Sequence, residues 1–310
     1  MRIAFQMDEN INFKTDTTFL LIKEANNRNH EVLIYTPVNL ALKLNKPIAL
    51  AQRVIINDSG FKFKESIEVN LNEVDIIFVR QNPPFDMRYI TTTYILEKTN
   101  ALVINNPTEI RNCPEKLITL LFPELIPPTL ITENISMIKD FFFNYKDMIL
   151  KPLYSYGGND VVRIQNEGII QVIAELMIAK HNCPIIAQLF SKNIEKDKRI
   201  LLLDGEPIGI MKRVPQNNEE IRTNIRLGAS FESIKMSEKD YEICDKIGPE
   251  LKKRGLTFVG IDILGDFLLE INTTSPTGVI QVNELYGIQL EKNLWCAFEE
   301  KVYQHNKVKC

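Results

Sequence analysis

Apolar residues fall into short runs that alternate with longer, helically spaced segments, the pattern of strands interleaved with helices. Residues 1–7 read as a short apolar strand, Asp16 is placed to cap a helix through FLLIKEANN, and HEVLIYTP follows as a second strand. A strand, helix, strand opening predicts a βαβ unit of a parallel sheet. Residues 38–70 are weakly periodic and receive no assignment. Residues 74–80 form the next strand, ending in the turn Arg80-Gln81-Asn82-Pro83-Pro84-Phe85-Asp86. In open α/β sheets ligands collect at this carboxyl edge, where Arg80 can grip a carboxylate or simply rim a structural turn. A helix over 88–98, a strand over 102–105 and a helix over 114–121 complete a first domain, residues 1–121. Pro123, Pro127 and Pro128 interrupt any regular element and mark the boundary.

The second domain, 122–310, divides into subdomains 122–190 and 191–310. A helix over 133–144 and a strand over 147–151 leave Lys151 at a strand end, before Tyr154-Ser155-Tyr156-Gly157-Gly158. Paired glycines there can bring backbone N–H groups to phosphate oxygens, or make a plain hairpin. A strand over 161–164, a helix over 167–181 and an apolar strand over 184–190 follow; the edge of the last can offer N–H and C=O groups to a flat heterocycle. Lys198-Arg199 opens a hairpin about Asp204-Gly205 that leaves through Arg213. The polar segment 215–230, carrying Arg222 and Arg226, has the length of a functional lid. Ser237 begins a capping-box helix that stops at Gly255, and a last amphipathic helix covers 291–304.

The stretch FVGIDILGDFLLEINTTSP, residues 258–276, reads as two buried strands. The period of two points Glu270 and Asn272 to one face and Leu269 and Ile271 to the other. A two-residue hairpin at Gly265-Asp266 would set Asp262 against Leu269, on the wrong face; an odd loop pairing Ile263 with Phe267 sets it beside Glu270, and the odd loop is expected. Asp262, Glu270 and Asn272 would then form a hard-oxygen set suited to Mg²⁺. The alternative is a hairpin with one wet face.

Composition narrows the classes. The chain has 310 residues, 45% hydrophobic and 25% charged, enough for about two folded domains and unlike a disordered chain. A formal charge of −3 gives no overall attraction to nucleic acid or an anionic membrane. No run approaches the ~20 apolar residues of a membrane span and no secretion signal is evident, so a cytoplasmic protein is expected. Five widely spaced cysteines without CxxC predict inert thiols rather than disulfides or zinc. His30, His181 and His305 stand alone in polar segments and are expected at the surface.

Several runs, in this order, resemble the bacterial type of glutathione synthetase, within the ATP-grasp superfamily. They include Arg80-x-x-Pro83-Pro84-Phe85-Asp86, Asn105-x-Pro107, Arg111-x-Cys113-x-Glu115-Lys116-Leu117, Ile149-Leu150-Lys151-Pro152-Leu153, Lys198-Arg199, Asp204-Gly205-Glu206-Pro207, and Asp262 through Glu270-Ile271-Asn272-x-Thr274-Ser275-Pro276-Thr277. The resemblance spans the whole chain. It implies an α/β architecture, an N-terminal parallel-sheet domain followed by an ATP-grasp fold of two α+β subdomains. It also implies a ligase that joins γ-glutamylcysteine and glycine with ATP and Mg²⁺ (or Mn²⁺), assembled as a homo-oligomer, dimer or tetramer. By the resemblance, Lys116, Lys151, Gly157, Gly158, Gln188 and Phe190 bind ATP, and Asp262, Glu270 and Asn272 hold the metal. Arg199 and Arg213 stabilise the transferring phosphoryl group, while Arg80, Ser275 and Asn272 contact substrate. Three segments depart from the family pattern: Tyr154-Ser155-Tyr156 before the paired glycines, the lid, and Gly278 to Glu284 after Thr277. Another carboxylate–amine ligase, or an ATP-binding module without turnover, are the competing readings.

Overall fold

The computed structural model describes residues 1–9, 16–57, 60–190, 197–214 and 230–309. The chain opens with β1 (Arg2–Met7), α1 (Thr17–Asn27) and β2 (Glu31–Tyr35), the two strands pairing in parallel. Asp16 caps α1 as expected, its carboxylate accepting the Thr18 N–H at 2.7 Å. Next come β3 (Leu40–Lys43), β4 (Lys46–Asn57), β5 (Gly60–Asn70), β6 (Ile76–Arg80), α2 (Met87–Leu96) and β7 (Leu102–Ile104). β1, β2, β6 and β7 are the parallel centre of a seven-stranded sheet, with β3, β4 and β5 added antiparallel. Both faces of this centre are covered, so β6 is buried at every position.

The segment left unassigned from sequence is therefore the β3–β5 ribbon. Leu42, Leu50, Ile55, Phe63 and Ile67 on it are exposed beside buried Ala49, Ala51 and Val54, so neither face is uniformly apolar and the period blurs. The helix expected over 114–121 is a 3₁₀ turn at Ile118–Leu121, and the α-helix lies earlier, at α3 (Pro107–Asn112). Asn106 caps α3 and Pro107 occupies its first turn, the stronger start signal.

The second sheet contains β8 (Thr129–Thr132), β9 (Met148–Pro152), β10 (Val162–Ile164) and β11 (Ile185–Leu189), in the order β10-β9-β11-β8, with α4 (Ile135–Tyr145) and α5 (Ile170–His181) packed on it. β8 lies directly after the prolines that were expected to exclude regular structure; at the sheet edge their missing N–H groups cost little. The third sheet is β12 (Asp197–Leu203), β13 (Glu206–Val214), β14 (Ser230–Glu232), β15 (Phe258–Leu264) and β16 (Phe267–Asn272), ordered β14-β13-β12-β15-β16. α6 (Glu238–Lys253) starts from the Ser237 capping box and crosses the β12–β13 turn so closely that a Cβ on Gly205 would collide with the Gly248 backbone.

α7 (Val279–Tyr286), which the sequence reading missed, and α8 (Leu290–Lys309) close the chain. α8 returns to the first sheet: Leu294, Trp295, Phe298 and Val302 share a core with Ile3, Phe5, Leu21 and Phe78. The Trp295 indole donates to Leu21 O at 2.9 Å, and Arg28 joins Glu299 at 2.8 Å. This return half-buries His30, expected at the surface, against Trp295, with its Nε2 2.9 Å from Glu299. Cys113 and Cys244 are buried, and burial pushes their thiols up to about 11 and about 12, which disfavours the nucleophilic thiolate.

Candidate functional site

The site grows from β15 and β16. Their turn is the two-residue Gly265-Asp266 hairpin, with Leu264 opposite Phe267, not the odd loop expected. The register nevertheless shifts between Asp262 and Ile263: Leu268 pairs with Ile263, Leu269 is the extra residue of a bulge, and Glu270 stands opposite Asp262. Leu268 and Ile271, rather than Leu269 and Ile271, accordingly fill the core below. The bulge supplies the one-residue correction that the odd loop was meant to supply. Asn272 completes the face, its amide donating to Gly260 O at 3.1 Å and to Asp262 Oδ2 at 3.4 Å.

β12 brings cations to this face. Arg199, directly across from Asp262, forks it with Nε–Oδ1 at 2.5 Å and Nη2–Oδ2 at 2.8 Å. Arg213 from β13 reaches Asp262 Oδ1 at 3.3 Å. Burial opposes ionisation of Asp262, but the two guanidinium groups prevail and hold its carboxyl at about 2. Lys198 points the other way and forms a buried ion pair with Asp240 of α6, so the second member of the Lys-Arg pair alone belongs to the site. Sequence reasoning missed Asp197. Two residues before Arg199, it shares that strand face and forks Arg213 at 3.1 and 2.6 Å. The period of two was the signal that could have found it.

Lys116 connects the metal-type face to the glycine loop. Its Nζ lies 3.7 Å from Glu270 and donates to the Ser155 carbonyl. Lys151, at the end of β9, is buried; burial lowers its pKa to about 8, with Glu270 opposing the shift and Lys116 adding to it. Gly157 and Gly158 sit at φ +68° and +74°, a left-handed pair that side chains rarely adopt. Tyr154, from the segment that departs from the family pattern, faces Phe85 of the Pro-Pro turn with ring centroids 6.2 Å apart. Glu115 is a further missed residue: it accepts the Thr274 hydroxyl at 2.7 Å and, through its backbone carbonyl, the Ile271 N–H at 2.9 Å, fixing the strand that carries Glu270.

Arg80 and Ser275 come together beside this face. Arg80 donates to Thr18 Oγ1 at 3.0 Å and Pro276 O at 2.9 Å, and the Ser275 hydroxyl donates to the Arg80 carbonyl at 3.4 Å. Arg80 Nη1 is buried with no partner among the described residues, and burial lowers the guanidinium pKa to about 10. Gln188 lies on β11 opposite Ile149 of the strand that carries Lys151, and Phe190 follows one residue past the end of β11. The Gln188 amide donates to Thr129 Oγ1 at 2.8 Å, the Phe190 ring lies 3.7 Å under Arg163, and the Phe190 N–H is taken by Asp147 O. Arg222 and Arg226 of the expected lid lie outside the described residues.

Two family models match the chain: the N-terminal domain of prokaryotic glutathione synthetase over residues 1–111 and the ATP-grasp domain of the same family over residues 115–287. Glutathione synthetase from Anaplasma centrale is 45% identical over 299 residues, covering 96% of this chain and 97% of that protein. The Brucella melitensis biotype 1 glutathione synthetase is 39% identical over 310 residues, covering 97% and 99%. In fold, the chain is similar to the ATP-grasp ligase PsnB complexed with minimal precursor, Mg and ADP, with a TM-score of 0.63 at 15% identity over 97% of this chain and 98% of that one. A mixed N-terminal sheet with parallel β1, β2, β6 and β7, two antiparallel sheets following it in the chain, and matches of this extent agree: the chain belongs to the prokaryotic glutathione synthetase family.

Proposed function

We propose that the chain joins the cysteinyl carboxylate of γ-glutamylcysteine to the amine of glycine, consuming ATP. The observation that carries this reading is the Asp262, Glu270 and Asn272 face, flanked by Lys116, Lys151, Arg199 and Arg213, in a chain of the glutathione synthetase family. The carboxylate attacks the γ-phosphorus, giving an acyl phosphate and ADP. The glycine amine then adds to the acyl carbon and phosphate leaves. No side-chain nucleophile is needed, so the residues work by positioning and charge neutralisation.

Lys116, Lys151 and the Gly157-Gly158 loop hold ATP phosphates, with Gln188 and Phe190 toward the adenine. Arg199 and Arg213 neutralise the phosphoryl group in flight, and Arg80 with Ser275 holds a substrate carboxylate, using the unpartnered Nη1. Among the described residues no three His, Cys, Asp or Glu side chains cluster as a metal site. The set here is two carboxylates and an amide, which leaves positions for phosphate oxygens and fits Mg²⁺ or Mn²⁺. When bound, such an ion neutralises charge on the β- and γ-phosphates. The first domain is placed at 1–121 and the ATP-grasp domain at 122–310, in a homo-oligomeric protein of the cytoplasm. No described helix is long and apolar enough to cross a membrane.

ADP release tests the reading. Release that requires both γ-glutamylcysteine and glycine, with glutathione identified by mass, is expected. Release indifferent to glycine would point to another amine, and bound ATP without release to a module that does not turn over. Lys151 adds a pH signature: it loses its proton as pH rises through about 8, so it holds phosphate best below that value. The KM for ATP is expected to rise by up to about tenfold per pH unit above it, a slope absent from Lys151→Met. A wild-type KM that stays flat to about pH 9.5 would remove Lys151 from the ATP site.

A further inference from the structure

Asn105, from the Asn105-x-Pro107 run, has no part in the site described above. It follows β7, at the end of the first domain's parallel strands, and is buried. Its amide reaches across to the two strands that carry the metal-type face. The Phe258 N–H donates to Asn105 Oδ1 at 2.9 Å, and Asn105 Nδ2 donates to Phe258 O and Thr273 O, both at 2.8 Å. Both amide protons are committed, and reversing the amide would set its NH2 against the Phe258 N–H, so one orientation fits. β15 and β16 pair from Leu264 and Phe267 to Gly260 and Asn272 and no further, while Val259 and Phe258 still pair with β12 on the other side. There the Thr257 carbonyl takes the Asp204 N–H at 2.7 Å, so the alternation of the ladder turns the Phe258 N–H and C=O away from β12. Asn105 meets them where β16 would have continued, as a one-residue strand between the parting chains.

We infer that Asn105 is a positioning residue for the proposed ligase: its amide sets the separation of β15 and β16 where they part, and so seats Asn272 and aims the chain after it at Arg80. This rests on the reading of Asp262, Glu270 and Asn272 as the metal set. Thr273, held through its carbonyl, is the residue after Asn272, whose own amide donates to Gly260 O at 3.1 Å. A little further on, the Ser275 hydroxyl and the Pro276 carbonyl meet Arg80, at 3.4 and 2.9 Å. A shift at Thr273 therefore reaches the metal set on one side and the substrate-carboxylate group on the other. Phe258 and Thr273 are both buried. Without the amide, the Phe258 N–H and the two carbonyls lose these bonds away from water, and the strand ends move to recover partners.

Asn105→Ala in the full chain tests this, set against Trp295→Phe, which loses the indole bond between α8 and Leu21 of α1. Both substitutions lower the melting temperature, so the pair separates positioning from stability. Below both transitions, Asn105→Ala is expected to lower kcat for glutathione formation about a hundredfold and Mn²⁺ affinity beside a non-hydrolysable ATP analogue about tenfold. Trp295→Phe is expected to move neither. If Asn105→Ala does not fold, Asn105→Ser, which retains one donor, carries the same two readouts. Unchanged kcat and Mn²⁺ affinity, equal losses in Trp295→Phe, or unfolding of both Asn105 variants would each overturn the assignment. A wild-type chain that binds Mn²⁺ with nucleotide yet forms no glutathione would remove the ligase reading instead, and the Mn²⁺ comparison would still decide the role of Asn105.

Discussion

Glu270→Gln is expected to lower glutathione formation by about a thousandfold or more while leaving the protein folded, because it removes one of the two carboxylates in the proposed Asp262, Glu270 and Asn272 metal set. The amide keeps the size and one oxygen, so the β15–β16 register and the bulge at Leu269 persist. Little stability is at stake. The partner of Glu270 is Lys116 at 3.7 Å, and the Glu270 side chain is 26% exposed. Lys116 remains anchored by the Ser155 carbonyl when the carboxylate is gone. Unchanged circular dichroism and melting temperature, combined with lost ADP release and weakened Mn²⁺ binding in the presence of ATP, is the expected set of results. A variant with near wild-type turnover would end the metal role of Glu270, and with it the reason for assigning Asp262 and Asn272.

What the sequence could and could not disclose follows from which interactions are local. Strand period and turn residues are local, so β1, α1, β2, β6, α6 and the β12–β13 hairpin stood where the pattern placed them. The Asp262–Glu270 pairing was right in outcome and wrong in cause: a one-residue shift from the loop and one from a bulge give the same facing pair, and nothing in LEUCINE-rich spacing separates them. The return of α8 to the first sheet joins residues more than 200 positions apart, as in the bond from Trp295 to Leu21, and no period reports that. His30 was misplaced for this reason alone. Asp197 was overlooked because its partner Arg213 lies on the next strand, across a hairpin whose register is offset at Leu201/Leu202.

Asp197→Ala is expected to damage both stability and turnover, and the two losses have separate readouts. Asp197 and Arg213 are 4% and 8% exposed, and the carboxylate takes two of the guanidinium bonds. Removing it leaves a buried cation whose other carboxylate, Asp262 at 3.3 Å, is already forked by Arg199. Breaking a buried pair in this way costs about 3–5 kcal/mol, and the melting temperature should fall by roughly 10 °C. Arg213 would then swing toward Asp262 or water, and kcat should fall about a hundredfold with little change in the KM for ATP, since Lys116 and Lys151 are untouched. Asp197→Asn retains one acceptor oxygen and should recover part of both losses. Should Asp197→Ala melt early yet turn over normally below its transition, Arg213 would be a structural cation and Arg199 alone would face the phosphoryl group.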